Sequence, residues 1–251
     1  MQSCESNPME PGTSDHKLSS TEETVFRSVV GQLNWIAQGT RPDCAFEIIT
    51  LSTKFKSATV KDLKYAKKML LKMKELRCKI VFPSLRVSQA RLEVYTDAAH
   101  ANLPDGISST YAFIVFLVDD QGNVCPLSWK ANKIVRVVGS TLAAETLALM
   151  KGVEEAMYLQ KILRELYPQL EIHIDAFVDN KSLVDALRST HLVQDRRLRI
   201  DIGILKQNLE DDIRQVKWIP GDQQLANCLT KKGAKGDRLL SIFHSGKMIG
   251  C

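Results

Sequence analysis

The chain has 251 residues, 44% of them hydrophobic and 25% charged, with a formal net charge of +5. That length allows one large domain or a domain with a smaller appendage, and the composition excludes a mostly disordered chain, a collagen and a disulfide scaffold. No run approaches the ~18 apolar residues of a membrane-spanning helix, and the mild positive charge permits a polyanionic partner without requiring one.

Residues 1–24 are polar, lack the apolar core of a secretory signal and read as a disordered leader. Order is expected from near Val25. Phe26, Val29, Val30, Leu33 and Ile36 recur at helical spacing, with Gly39 as a stop. Thr40-Arg41-Pro42-Asp43 then reads as a fresh helix start, with Pro42 in the first turn and Asp43 complementing the helix dipole. This helix should run through Phe46, Ile48 and Ile49 to about Lys54. A third helix, from Val60 to about Leu76, carries a stripe of Leu63, Ala66, Leu70 and Met73. Between Lys54 and Lys79 ten basic residues face only two acidic ones, Asp62 and Glu75. That asymmetry fits either a solvated helix face or a surface that holds nucleic-acid phosphates.

From Arg91 the period changes to that of strands. LEVYTDA is a first strand ending at Asp97. TYAFIVFLVDD and VCPLSWKA are a second and third, joined as a hairpin by Asp-Asp-Gln-Gly-Asn. Ser140 and Thr141 cap a long helix that ends near Tyr167, before Pro168. EIHIDAFVD is a fourth strand. Helices follow over Asn180–Arg188 and Arg196–Leu209, then a fifth strand, IRQVKWI, and a last helix from about Gln223. The order β-β-β-α-β-α-α-β-α predicts an α/β domain whose sheet is part antiparallel and part parallel. Six cysteines, Cys4, Cys44, Cys78, Cys125, Cys228 and Cys251, form no CxxC pair and no zinc spacing, so reduced thiols are expected.

Three acidic residues stand out. Asp97 ends a strand, where a carboxylate either caps a turn or binds something. Glu145 lies on the apolar seam of its helix, with Leu142, Ala148 and Leu149 at helical neighbour positions; it either sits at the rim of the seam or is paired or metal-bound, since a lone buried carboxylate is costly. Asp179 also ends a strand; Asp-Asn is a good helix cap, yet carboxyl ends of strands are where open α/β sheets place their sites. No Ser-His-Asp set and no phosphate-binding glycine loop is evident. Converging carboxylates in basic surroundings suggest Mg²⁺ or Mn²⁺, and two such ions about 3.5–4 Å apart suit phosphodiester hydrolysis.

With YTDA, AAETLAL, FVDN and WIPGDQQLANCLTKK in this order, residues 89–234 resemble a type 1 ribonuclease H domain of the copia-type retrotransposon Pol polyproteins. The run FRSVVGQLNWIAQGTRPDCAFEIITLSTKF and the lysine-rich helix after it resemble the segment that joins reverse transcriptase to that domain. The resemblance spans about residues 25–234. It implies a ribonuclease H-like fold with a five-stranded mixed sheet flanked by helices, preceded by a small helical segment over 25–88, with 235–251 left as a tail. It also implies metal-dependent, endonucleolytic cleavage of the RNA strand of an RNA–DNA hybrid, leaving a 3′-hydroxyl and a 5′-phosphate, with two Mg²⁺ or Mn²⁺ ions and with other Pol-derived domains as partners. No membrane partner is expected, and a cytoplasmic location is the default.

The family uses four acidic residues. Asp97, Glu145 and Asp179 match the first three by motif. Asn227 stands at the fourth, which keeps an oxygen donor but removes one negative charge, so weaker binding at one metal site is expected. Asp222, five residues upstream, either partly compensates or is a turn residue after Pro220-Gly221. The loop histidine that the family often has is absent between Trp218 and Asn227, and Ala98-Ala99-His100 replaces the usual Asp-Trp after the first aspartate. Ser108, Ser109 and Thr110 match a hydroxyl-rich turn suited to backbone phosphates. Lys130, Asn132 and Lys133 are further candidates for contact with the hybrid, which should be read by shape and 2′-hydroxyls. The polymerase palm is not within these residues, so a piece of such an element is expected. Beside the nuclease reading stand a catalytically impaired hybrid-binding remnant, favoured by Asn227, and a structural domain without a nucleic-acid role.

Overall fold

The computed structural model describes residues 16–76, 78–191 and 193–248. Three helices come first: α1 (Ser20–Gly39), α2 (Ala45–Thr53) and α3 (Val60–Glu75). Ordered structure precedes the expected start near Val25 because Ser19 and Glu22 form a capping box, Glu22 taking the Ser19 amide at 2.9 Å. Upstream of it, Lys17 bridges to Thr59 and Leu18 is buried. The leader call is therefore corrected for residues 16–24, and residues 1–15 lie outside the described ones. The expected second helix is split: Pro42–Cys44 is a tight 3₁₀ turn, and α2 starts after it. The helices share one core, with Phe26, Leu33, Ile48, Leu63 and Ala66 among its buried residues.

The second region is a five-stranded sheet, β1 (Arg91–Ala99), β2 (Thr110–Val118), β3 (Val124–Lys133), β4 (Ile174–Val178) and β5 (Ile213–Trp218), in the order β3-β2-β1-β4-β5. β1, β2 and β3 are antiparallel, and β4 and β5 run parallel to β1. Its helices are α4 (Thr141–Leu166), α5 (Lys181–Arg188), α6 (Arg196–Asp211), a single turn α7 (Asn227–Thr230) and α8 (Asp237–Ser245). This is the ribonuclease H-like arrangement. The pairing of β2 with β3 shifts register between Val115 and Phe116, opposite Pro126, whose missing N–H is tolerated at a bulge.

Period-two alternation gives the sheet two apolar faces. Leu92, Val94, Phe113 and Val115 pack against Leu149 and Val153 of α4 and against α5 and α6. Tyr95, Ile114 and Phe116 face the other way, onto Leu229 of α7 and Leu239, Ile242 and Phe243 of α8. The tail call over 235–251 is thus corrected for residues 237–248: the apolar run of α8 seals this second face, and Val81, Val124 and Met248 donate backbone hydrogen bonds that fasten the segment. Residues 249–251 lie outside the described ones.

The helical region docks beside α7. Trp129 Nε1 donates to Ala37 O at 2.9 Å. The buried Arg41 guanidinium pairs with Asp43 at 2.8 Å and reaches Leu76 O at 3.2 Å. Gly236 is held so close that a Cβ there would lie 2.7 Å from Asp43 Cβ. Cys44, Cys78, Cys125 and Cys228 form no disulfide among the described residues. Among the described residues no helix is long and apolar enough to cross a membrane.

Candidate active site

Strand order places β1 between an antiparallel neighbour and a parallel one. The chain leaves the carboxyl ends of β1 and β4 in different directions, which opens a crevice there. The β1–β4 ladder ends at Tyr95 and Phe177. Asp97 and Asp179 each lie two residues further on, so they stand side by side. Gln224 closes the gap behind them: its buried Nε2 donates to Thr96 O at 3.0 Å and to Phe177 O at 3.2 Å, serving carbonyls that the splayed strands no longer pair. Trp218 Nε1 fixes the Asp179 backbone by donating to its carbonyl at 3.0 Å.

Glu145 arrives from α4. Two turns along the same helix face, Gly152 lies against β1, where a Cβ would meet Thr96 Cγ2 at 2.5 Å and Val94 Cγ1 at 2.9 Å. The missing side chain lets α4 lie close on the sheet and lowers Glu145 to the level of Asp97. One carboxylate oxygen from each of Asp97, Glu145 and Asp179 falls within 4.8 Å of the others. Asp97 and Glu145 are buried, and Glu145 Oε2 has no hydrogen-bond partner among the described residues.

Asn227 belongs to the same place but is engaged locally. Its Nδ2 donates to Gly221 O at 2.6 Å, and its Oδ1 accepts from Lys231 Nζ at 2.5 Å. The Lys231 ammonium also lies 3.0 Å from Asp97 Oδ1 and 3.8 Å from Asp179 Oδ2. The Thr230 hydroxyl donates to the other oxygen of Asp97. Thr230, Lys231 and Gln224 were not singled out from sequence. The i, i+4 spacing of Asn227 and Lys231 on one turn was the available signal.

Charge at the site is under-compensated. Burial, then repulsion from Asp97 and Asp179, pushes the Glu145 carboxyl well above the usual carboxylate range, with Lys231 opposing. Burial also raises Asp97, against the pull of Lys231 and Thr230. Burial disfavours the Lys231 ammonium, but Asp97, Asp179 and Glu145 outweigh it and hold its pKa above the ordinary value. Oxygen-only donors, three carboxyl groups and an unpartnered buried Oε2 fit a hard divalent cation held by Asp97, Glu145 and Asp179.

The other sequence candidates fare differently. Ser109 and Thr110 are buried, Ser109 Oγ accepting from the Ala101 amide at 2.9 Å and Thr110 Oγ1 exchanging hydrogen bonds with Asn102. These hydroxyls hold the turn together. Ser108 donates to Asp105 at 2.5 Å. Lys130, Asn132 and Lys133 are exposed near the end of β3, with Lys133 3.5 Å from Asp105. His100 Nε2 lies 3.0 Å from Val138 O and tethers the loop before α4. Asp222 is exposed and outside the carboxylate group.

No protein-family model matches the chain. It is 26% identical over 218 residues to the retrovirus-related Pol polyprotein from transposon RE1 of Arabidopsis thaliana, covering 84% of this chain and 14% of that one. The corresponding polyprotein from transposon RE2 is 25% identical over 217 residues, with the same coverage. A transposon Ty5-1 protein of Saccharomyces cerevisiae is 28% identical over 135 residues, 54% of this chain and 41% of that one. The chain therefore spans about a seventh of the length of the two plant polyproteins. Among solved structures, the N-terminal RNase H domain of Rv2228c from Mycobacterium tuberculosis aligns with TM-score 0.41 and 16% identity, over 56% of this chain and 91% of that one. A foamy viral protease–reverse transcriptase aligns with TM-score 0.42 and 13% identity, over 81% and 35%. The relatives and the strand order agree: over most of its length the chain is similar to retrovirus-related Pol polyproteins of transposons, and its sheet has the ribonuclease H-like order.

Proposed function

We propose that this chain binds RNA–DNA hybrids and hydrolyses phosphodiester bonds of the RNA strand, with Mg²⁺ or Mn²⁺, two ions in number, held by Asp97, Glu145 and Asp179 and, as a neutral oxygen donor, Asn227. The observation that carries this reading is the convergence of three carboxyl oxygens within 4.8 Å, from β1, α4 and the loop after β4, against one ammonium. Divalent cations there supply Lewis-acid stabilisation of the charge that develops on the phosphate, and acidify a water. Thr230 and Lys231 orient Asp97, and the ammonium would have to yield the oxygen it holds for a cation to bind there. Glu145, whose burial favours the neutral carboxyl, would have to be deprotonated to hold a cation. The same ammonium holds Asn227 Oδ1, which would also have to be released before it could serve as a donor to a cation.

A second reading, a hybrid-binding module with impaired catalysis, is favoured by one feature. Asn227 is committed to Gly221 and Lys231, and the Lys231 ammonium already offsets part of the charge that would attract cations. Cleavage of a labelled RNA–DNA hybrid in Mg²⁺ and then Mn²⁺, beside Glu145→Gln, separates the two. Cleavage lost in Glu145→Gln supports the nuclease. Absence of cleavage by folded protein in both metals overturns it, and recovery by Asn227→Asp then marks the fourth ligand as the defect.

A further inference from the structure

A groove separate from the carboxylate crevice opens elsewhere on the molecule. It has a volume of about 1010 Å³ and runs between the helical region and the end of β3. This is at the top of the ~300–1,000 Å³ range of small-molecule pockets. Its charged lining is Arg27, Lys54, Lys61 and Lys133 against Asp62 and Asp105. Asp62 is buried and spent on capping α3 and pairing Lys54 at 2.5 Å. Arg27 stacks over Phe55 at 5.8 Å, and neither it nor Lys61 has a carboxylate within pairing distance among the described residues. Asn34 and Asn132 add exposed amides. Sheet register ties this groove to the site: Asp97 pairs with Ala112, and Ala112 with Ala131, which lines the groove. With strands ~4.8 Å apart, Ala131 lies about 10 Å from Asp97.

We infer that this groove holds the sugar–phosphate backbone of one strand of the nucleic acid as it runs on from the carboxylates, with Arg27, Lys61 and Lys133 on phosphates and Asn34 and Asn132 as hydrogen-bonding partners. The inference rests on the nucleic-acid reading of the site, but its test needs no cleavage. A labelled RNA–DNA hybrid is titrated by fluorescence anisotropy in EDTA over a range of salt. The combined variant Arg27→Ala, Lys61→Ala, Lys133→Ala should bind about 10-fold or more weakly, and the log–log salt slope should fall by about 2–3, one counterion-releasing contact per residue. The single variant Asn132→Glu, at an exposed position that keeps the fold, should weaken binding in the same direction. Lys151→Ala, Lys161→Ala, Arg164→Ala on α4 is the matched loss of charge and should leave the slope nearly unchanged. Equal slopes for wild type and the groove variant, an equal loss in the α4 control, or no binding by wild type would overturn the inference. A cleaving wild type with an unaffected groove variant would remove the groove and keep the nuclease; a silent wild type with a groove-dependent salt slope would do the reverse.

Discussion

Carboxylates meet twice along the course of β1 and β4, and the two sets are treated in opposite ways. Glu93 and Asp175 are paired in register, both 3% exposed. Each is met by a guanidinium: Arg91 donates to Glu93 at 3.0 Å, and Arg214 Nε donates to Asp175 at 2.8 Å. Tyr95 adds its hydroxyl to Glu93 at 3.0 Å. Two negative charges face two positive ones, and the hydrogen-bonding capacity is used. Four residues further along the same course, Asp97 and Asp179 are joined by Glu145, and a single ammonium serves all three. Burial alone therefore does not mark a site. Burial with a charge deficit does, because the fold leaves that deficit for something else to fill.

The comparison can be broken at its structural half first. Asp175→Ala should cost about 1.5–3 kcal/mol by removing the charged hydrogen bonds to the half-exposed Arg214, read from urea unfolding, while the folded fraction keeps the cleavage rate of wild type. A loss of activity without a loss of stability would make this pair part of the site. At the other half, Glu145→Gln should cut cleavage by about 10²–10³-fold, some 2.7–4 kcal/mol of transition-state stabilisation. Its unfolding midpoint at neutral pH should stay within about 1 kcal/mol, since burial already favours the neutral carboxyl.

Glu47 supplies an intermediate case. It is largely buried, its Oε2 has no partner among the described residues, and burial first, then Asp43, pushes its pKa to about 7. A raised carboxyl pKa means the folded state binds the proton more tightly. The stabilisation is full below the ordinary value of 4.5 and is lost as pH rises through about 7. Relative to Glu47→Gln, wild type should lose on the order of 2–3 kcal/mol between pH 4.5 and 8. A flat difference would show that a cation, such as the nearby Lys232, answers this carboxylate after all. The smallest effect is expected at Lys231. Lys231→Met removes the one ammonium in the cluster and should tighten Mn²⁺ binding by calorimetry about 10-fold, or ~1.4 kcal/mol. Weaker binding would mean that the ammonium orders the carboxylates more than it competes with cations.

Much of this was legible from residues. The strands announce themselves by alternation, and Glu145 betrays itself by occupying an apolar helix seam. Asp97 and Asp179 were readable as strand-end acids. Glu93 and Asp175 have the same local look, yet only the register of two distant strands and the arrival of Arg91 and Arg214 reveal them as neutralised. The turn hydroxyls of Ser109 and Thr110 looked available because sequence does not report that Ala101 and Asn102 fold back onto them. Lys231 stayed hidden for the converse reason: lysines are ordinarily solvated, and its destination depends on where a one-turn helix is seated. The early start of α1 and the role of α8 were present as a capping box and an apolar run, but the first lies in a polar stretch that suggested disorder and the second lies past the last motif of the domain.

The closure of the second face by α8 has a consequence for how the molecule is made. Ile114 and Phe116 sit mid-sheet and depend on Leu239, Ile242 and Phe243 to cover them. These covering residues are translated more than a hundred positions later. During synthesis β1, β2 and β3 can pair while one side of the sheet still faces water, and that exposed surface is the kind that recruits chaperones or other nascent chains. A chain ending before residue 237 would carry Asp97, Glu145 and Asp179 while Ile114 and Phe116 lack the cover of α8.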